Sequence, residues 1–197
     1  MSKQIQLIIK RAFDLVSSVA VLVITLPLMI ILACFVKRSS AGPVFFIQER
    51  VGLGTSNFRM IKFRTMRGQP VRDATRWTKS EEARITSVGA IMRDYGLDEL
   101  PQIFNIFKGD MSVIGPRPPL PKQVNTFSPF LKKMFEMRPG VLSLAAIEGR
   151  RSLPMEKRYM LHVKYVENWS LKLDLKILWQ SLFVVLGRIS ATEEEVE

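Results

Sequence analysis

The strongest pattern lies at the front of the chain. Residues 15–36, LVSSVAVLVITLPLMIILACFV, carry no charge. As a helix they would measure about 33 Å, close to the hydrocarbon thickness of a bilayer. Cations flank both ends: Lys3, Lys10 and Arg11 before, Lys37 and Arg38 after. The positive-inside rule therefore assigns no orientation. Pro27 falls near the middle and removes a backbone donor, so a kink or break is expected there. Two paths fit the residues. One is a straight spanning helix; the other enters, bends at Pro27 and returns to the same face.

Past this segment the hydrophobic period changes. GPVFFIQERVG and FRMIKFRTM read as two short strands of a β-hairpin, joined by a glycine-containing loop. In the second strand a period of two puts Lys62 and Arg64 on one face, with Ile61 and Phe63 on the other. Residues 67–84 are polar and irregular, which predicts a loop. Thr86 or Ser87 suits the cap of a short helix running to Tyr95, with Gly96 as its stop. Asp98 suits the N-cap of a helix over 99–107, with Pro101 tolerated in its first turn. GPRPP at 115–119 cannot be helical.

Residues 128–137, SPFLKKMFEM, read as an amphipathic helix. Phe130, Leu131, Met134 and Phe135 share one side, facing either the core or a headgroup layer, while Lys132 and Lys133 face away. Longer helices follow near 154–168 and 172–188. The pattern predicts an α+β fold, mainly α. It comprises a membrane-inserted segment over 1–40, one cytosol-facing unit over 41–190 with a small β-hairpin and several amphipathic or interfacial helices, and an acidic tail over 191–197.

Composition narrows the partners. The 197 residues suffice for one domain, and the net charge is +11 although the final EEEVE carries four acidic residues. Such a balance points to an anionic partner: nucleic acid, an anionic lipid surface or a phosphorylated substrate. One cysteine, Cys34, and one histidine, His162, exclude an intramolecular disulfide and a zinc cluster of soft ligands. HExxH, Walker A and GxSxG motifs are absent. GLGTSN at 52–57 lacks the third glycine of a dinucleotide loop and reads as the hairpin connection.

Candidate chemistry concentrates in GLDELPQIFNIFKGDMSVIGPRPPLP, from residue 96. Asp98 and Glu99 are adjacent carboxylates, and Arg117 stands between prolines. Each has a structural reading: a helix cap, a first-turn acid favoured by the helix dipole, and a carboxylate partner. Together with Lys62, Arg64 and Arg93 they also suit a phosphate-rich anion. A carboxylate placed there can hold Mg²⁺ with phosphate oxygens, or attack phosphorus to form an acyl phosphate. Flanking prolines restrict the backbone of Arg117, and guanidinium binds phosphate bidentately. The rival reading is a basic, membrane-anchored protein for nucleic acid or anionic lipid. It explains the charge but not the Asp98–Glu99 pair beside Arg117. His162 reads as a partly buried helix histidine, and Trp77, Trp169 and Trp179 as core or interface residues.

At these residues the chain resembles the bacterial polyprenyl-phosphate sugar-1-phosphate transferases, the monotopic phosphoglycosyl transferases, in their short catalytic form. The matching pieces run from about residue 10 to 186: KRAFD, GPVFFIQERVG, KFRTM, RITSVGAIMRDYGLDELPQIFNIFKGDMSVIGPRP, RPGV, EGR and YVENWSLKLDLKIL. The resemblance implies transfer of sugar-1-phosphate from a UDP-sugar to polyprenyl (undecaprenyl) phosphate, with UMP released and Mg²⁺ required. This is the first membrane step of glycan or exopolysaccharide assembly. It implies attack by Asp98 on the sugar-bearing phosphorus, with Glu99 helping to place the metal. It also implies phosphate binding by Lys62, Arg64, Arg93, Arg117 and Arg150, and a re-entrant helix broken near Pro27 with both ends at the cytoplasmic face of the inner membrane. The implied partners are a UDP-sugar, polyprenyl phosphate and membrane lipids, with no nucleic acid. Leu142, Ser143, Leu144, Ala146 and Glu148 depart from the family's usual residues, and His162 replaces a family Asp. These departures bear on which sugar or nucleotide face is recognised.

Overall fold

The computed structural model describes residues 2–68, 82–148 and 153–185. Arg150, Trp77, the acidic tail and most of the polar segment 67–84 lie outside the described residues.

Helix α1 spans Lys3–Ser39. The Ser2 hydroxyl caps it by accepting from Ile5 N, and Lys37 and Arg38 complement the dipole at its end. It begins well before the apolar run, because residues 3–14 contain no helix breaker. The expected break at Pro27 is not seen: α1 is assigned as one helix through that residue. Pro27 still withholds one hydrogen bond, from the carbonyl of Val23. The buried positions of α1 are Lys10, Asp14, Ser18, Met29, Leu32 and Val36. Their steps of three, four and eleven keep them on one side. The opposite side is apolar and bare; Val16, Val23 and Ile24 are 70%, 68% and 75% exposed.

The hairpin forms as read. Strands β1 (Phe45–Val51) and β2 (Asn57–Phe63) pair antiparallel, from Phe45 opposite Phe63 to Val51 opposite Asn57. The connection is a short 3₁₀ turn over Leu53–Thr55, with Gly54 at φ 60°. Phe58 and Met60 bury one face of β2, while Phe63 buries the other against α1.

Helix α2 (Ser87–Asp94) starts at Thr86, whose hydroxyl accepts from Gly89 N at 2.9 Å. It stops before Gly96, which sits at φ 70° and turns the chain into a 3₁₀ turn, Leu97–Glu99. Helix α3 then covers Gln102–Lys108. The expected helix over 99–107 is thus shortened at its start. Asp98 lies inside the 3₁₀ turn, and α3 begins after Pro101 without a side-chain cap.

The sequence pattern gave no sign of a second sheet. Strands β3 (Ser112–Ile114) and β4 (Gly140–Leu142) pair in parallel. Three residues are too few to show a period. The sheet requires a close crossing: a Cβ on Gly140 would stand 2.0 Å from Gly115 N. Between these strands lie α4 (Pro121–Val124) and α5 (Pro129–Lys132), the latter continued by a 3₁₀ turn over Lys133–Glu136. Met134 and Phe135 face the core, whereas Phe130 is exposed beneath the Lys133 ammonium. After α6 (Leu144–Ile147) come the two longer helices, α7 (Met155–Glu167) and α8 (Leu171–Val185).

Two apolar clusters hold the site's supports. Met29, Leu32 and Val36 of α1 pack on Phe63 and Met92. Ile114, Met137 and Leu144 pack on Tyr165, Val166 and Ile177. Each fully buried side chain of this size contributes about 1.5–3 kcal/mol. The architecture is α+β, mainly α, with the long apolar helix laid along it.

Candidate active site

Four consecutive residues at the end of β2 reach in different directions. The Lys62 ammonium donates to Glu99 Oε1 at 2.5 Å. Phe63 packs under α1. Arg64 turns back to the end of α1, donating to the carbonyls of Val36 and Ser40 at 3.2 and 2.7 Å and to that of Pro43. Thr65 Oγ1 accepts from Arg93 Nε at 2.8 Å. The structure therefore brings Lys62 to the carboxylate pair, but spends the Arg64 guanidinium on the last carbonyls of a helix.

Glu99 Oε1 accepts from both Lys62 and Arg117, the latter at 2.8 Å. Burial pushes the Glu99 carboxyl up, but Arg117 and Lys62 together outweigh it and hold it well below the usual range. Lys62 itself is lowered by burial and by Arg117, with Glu99 opposing.

Asp98 differs. Among the described residues its carboxylate makes no hydrogen bond, so it serves neither as a cap nor as an ion-pair anchor. Burial raises its pKa above the ordinary 3.8; Lys62, Arg93 and Arg117 pull it down, and Glu99 pushes it up. The outcome is one carboxylate locked in its charged form beside a second that makes no hydrogen bond among the described residues.

Arg117 is exposed, whereas Pro116 and Pro118 on either side are buried. Its backbone is tied on both flanks. Gly140 N donates to Pro116 O at 2.9 Å, and Val51 N donates to Pro119 O at 3.1 Å. Arg50 donates to Pro118 O at 2.9 Å. Upstream, Ile114 O accepts from Lys10 Nζ at 2.8 Å and from the Tyr165 hydroxyl at 3.3 Å.

That last contact belongs to a buried network that sequence reasoning missed. Lys10 pairs with Asp174 at 2.8 Å, and Tyr165 and Trp169 also donate to Asp174, at 2.7 and 3.1 Å. Asp14 accepts from Ser112 Oγ and Val113 N, both at 2.9 Å. A usable signal was present: Lys10, Asp14 and Ser18 recur every four residues, on one face of a helix. Arg50 was missed as well, and no periodicity would have found it.

His162 lies on a helix, as read, and is fully rather than partly buried. Burial, helped by Arg117 and Arg158, lowers it to about 3, so it is neutral near pH 7. It therefore adds no charge beside Arg117.

The carboxylates fit a divalent ion in part. Among the described residues Asp98 makes no hydrogen bond, and the cations donate to one oxygen of Glu99, Oε1. Among the described residues no third His, Cys, Asp or Glu joins them. Mg²⁺ commonly uses one or two carboxylates and completes its shell with water and substrate phosphate.

A carboxylate pair and three nearby cations thus share one body with a bare apolar helix. The family described as bacterial sugar transferase matches residues 5–188, and the chain belongs to that family. It is 38% identical to the uncharacterized sugar transferase EpsL of Bacillus subtilis (strain 168), over 91% of this chain and 88% of that protein. It is 37% identical to the UDP-glucose:undecaprenyl-phosphate glucose-1-phosphate transferase of Xanthomonas campestris pv. campestris, over 92% and 40%. A third relative, at 36% over 93% and 45%, is the UDP-N-acetylgalactosamine-undecaprenyl-phosphate N-acetylgalactosaminephosphotransferase of Aeromonas hydrophila. The chain thus spans most of the Bacillus protein and under half of the other two.

Proposed function

We propose that this chain transfers sugar-1-phosphate from a UDP-sugar to polyprenyl phosphate at the cytoplasmic face of the bacterial inner membrane. The observation that carries the reading is the division within the dyad. Glu99 is neutralised by Lys62 and Arg117, while Asp98 carries no hydrogen bond among the described residues. The relatives' names, which specify UDP-sugars and undecaprenyl phosphate, support the substrate class.

In the first step an oxygen of Asp98 bonds to the sugar-bearing phosphorus. The bond from that phosphorus to the oxygen shared with UMP breaks, and UMP leaves with the electron pair. In the second, a phosphate oxygen of the polyprenyl phosphate attacks the same phosphorus, and Asp98 departs as a carboxylate. Lys62, Arg93 and Arg117 screen the repulsion between carboxylate and diphosphate. Asp98 and Glu99 would hold Mg²⁺, which supplies further neutralisation of phosphate charge.

We read α1 as monotopic, with both ends on one side. Lys10 and Val36 lie about 39 Å apart along a straight helix, yet both are buried against the same body. A straight span would carry one of them across the bilayer. The bare apolar side of α1, with exposed Phe107, Leu175 and Trp179 on α3 and α8, supplies surface for membrane lipid.

A UMP-release screen over UDP-sugars with undecaprenyl phosphate tests the activity. Asp98→Asn is expected to give no product, and radiolabelled sugar-phosphate should remain covalently attached to the wild type. Full activity of Asp98→Asn would remove the nucleophile. Steeply salt-dependent DNA binding without UMP release would transfer the reading to the nucleic-acid rival.

A further inference from the structure

Arg50 lies near the end of β1, outside the dyad and its cations. Its guanidinium is shared between two anchors. Nε and Nη2 donate to Gln48 Oε1 at 3.1 and 2.6 Å, and Nη1 donates to Pro118 O at 2.9 Å. One residue further along β1, Val51 N holds Pro119 O. Pro118 directly follows Arg117 and has no N–H of its own. Its carbonyl is therefore the group through which the chain just past Arg117 can be oriented.

We infer that Arg50 is a positioning residue for Arg117, aiming it at Glu99 and the substrate phosphate through the carbonyl of Pro118. The argument starts from exposure. The Arg117 side chain is 53% exposed, so packing does not fix it. Its direction is set by the backbone and by the Glu99 carboxylate it reaches. A solvated arginine without such support would sample many rotamers and bind phosphate at the cost of that freedom.

Charge acts in the same sense. Arg50 is lowered to about 10 by burial and then by Arg117, with Tyr159 and Glu99 opposing. The two guanidiniums are close enough to repel each other, so Arg50 is held to its two anchors rather than to the Glu99 carboxylate that Arg117 reaches. Lysine at position 50 would keep the charge but lose the planar fork that spans Gln48 and Pro118 together.

The inference rests on the proposal that Arg117 binds substrate phosphate, and the test separates the two. UMP release is measured for wild type, Arg50→Lys, Arg117→Lys and the double variant. Arg50→Lys is expected to lower kcat/KM by about 10–100-fold, the scale of a small misplacement. In the Arg117→Lys background the same change should cost less than about 2-fold, because its effect passes through Arg117. Costs that multiply would show Arg50 acting on its own and overturn the inference.

A second readout needs no substrate. Nitrogen-15 NMR of the Arg117 guanidinium reports the Glu99 pair as slow rotation about Cζ–Nε. Arg50→Lys should speed that rotation, and an unchanged rate in the folded variant overturns the inference. If Arg50→Lys fails to fold, Gln48→Ala replaces it. That variant keeps the Arg50 charge, removes the acceptor of two of its nitrogens, and should move both readouts in the same direction. Should the wild type turn over no UDP-sugar, the transferase reading fails, and the rotation rate still decides the role of Arg50.

Discussion

At position 98 a carboxylate sits partly buried, without hydrogen bonds among the described residues, next to a second carboxylate. Its raised pKa means that the folded protein holds its proton more tightly than the unfolded chain does. Above that pKa the charged group costs stability. Asp98→Asn should therefore raise the melting temperature at neutral pH while abolishing UMP release, a trade-off expected of a reactive group. With Asp98 as the proposed nucleophile, the same shift sets the acid limb of activity. A nucleophile must be ionised, so kcat/KM should fall with decreasing pH at a value above the ordinary 3.8 of aspartate. His162 has the opposite signature. Its folded pKa of about 3 lies below the ordinary 6.5, so only the unfolded chain takes up the proton between those values. Stability should fall on acidification through that window, by up to about 1.4 kcal/mol per pH unit more than in His162→Gln. Denaturant titrations of both proteins at several pH values measure the difference.

Among the elements, α1 carries the contact most open to test. Lys10 and Asp174 are both buried, and removing one partner of such a pair costs about 3 kcal/mol or more. Lys10→Met should lower the denaturation midpoint accordingly. Lys10→Met with Asp174→Asn should recover part of the loss, because the stranded charge is removed. The elements also show what a sequence can and cannot convey. The hairpin, α2 with its Thr86 cap, and the two longer helices α7 and α8 were legible because each has a period or a stop signal. The parallel β3–β4 pair was illegible, since its cause is a glycine crossing between distant segments. Asp98 was read as a cap because Asp before an apolar run commonly is one. The structure gives that residue no backbone to cap, and its chemistry stands out more for it. Arg64 was grouped with the phosphate ligands from its place beside Lys62. The strand ends at Phe63, and one residue later alternation no longer governs direction.

Taken whole, the molecule places its chemistry and its apolar surface on one continuous body. Topology is the property that belongs to this scale. Cysteines introduced near residues 2 and 40 of a variant lacking Cys34 should react with an impermeant reagent from the same side of the membrane. Labelling from opposite sides would mean a straight span. The candidate site was readable as residue types, because Lys62 and Arg117 meet at Glu99, beside Asp98. Its scaffold was not, because Lys10, Arg50, Tyr165 and Asp174 act across long separations in the chain.

The seating of α1 along the body has a practical corollary for anyone wanting a water-soluble version. Deleting the first 39 residues would strip the cover from Phe63 and Met92 and leave the buried Asp174 without its Lys10 counter-charge. Such a truncation is expected to emerge from expression as insoluble aggregate even with detergent present. The leading rod is a structural wall of the enzyme, not a detachable tether.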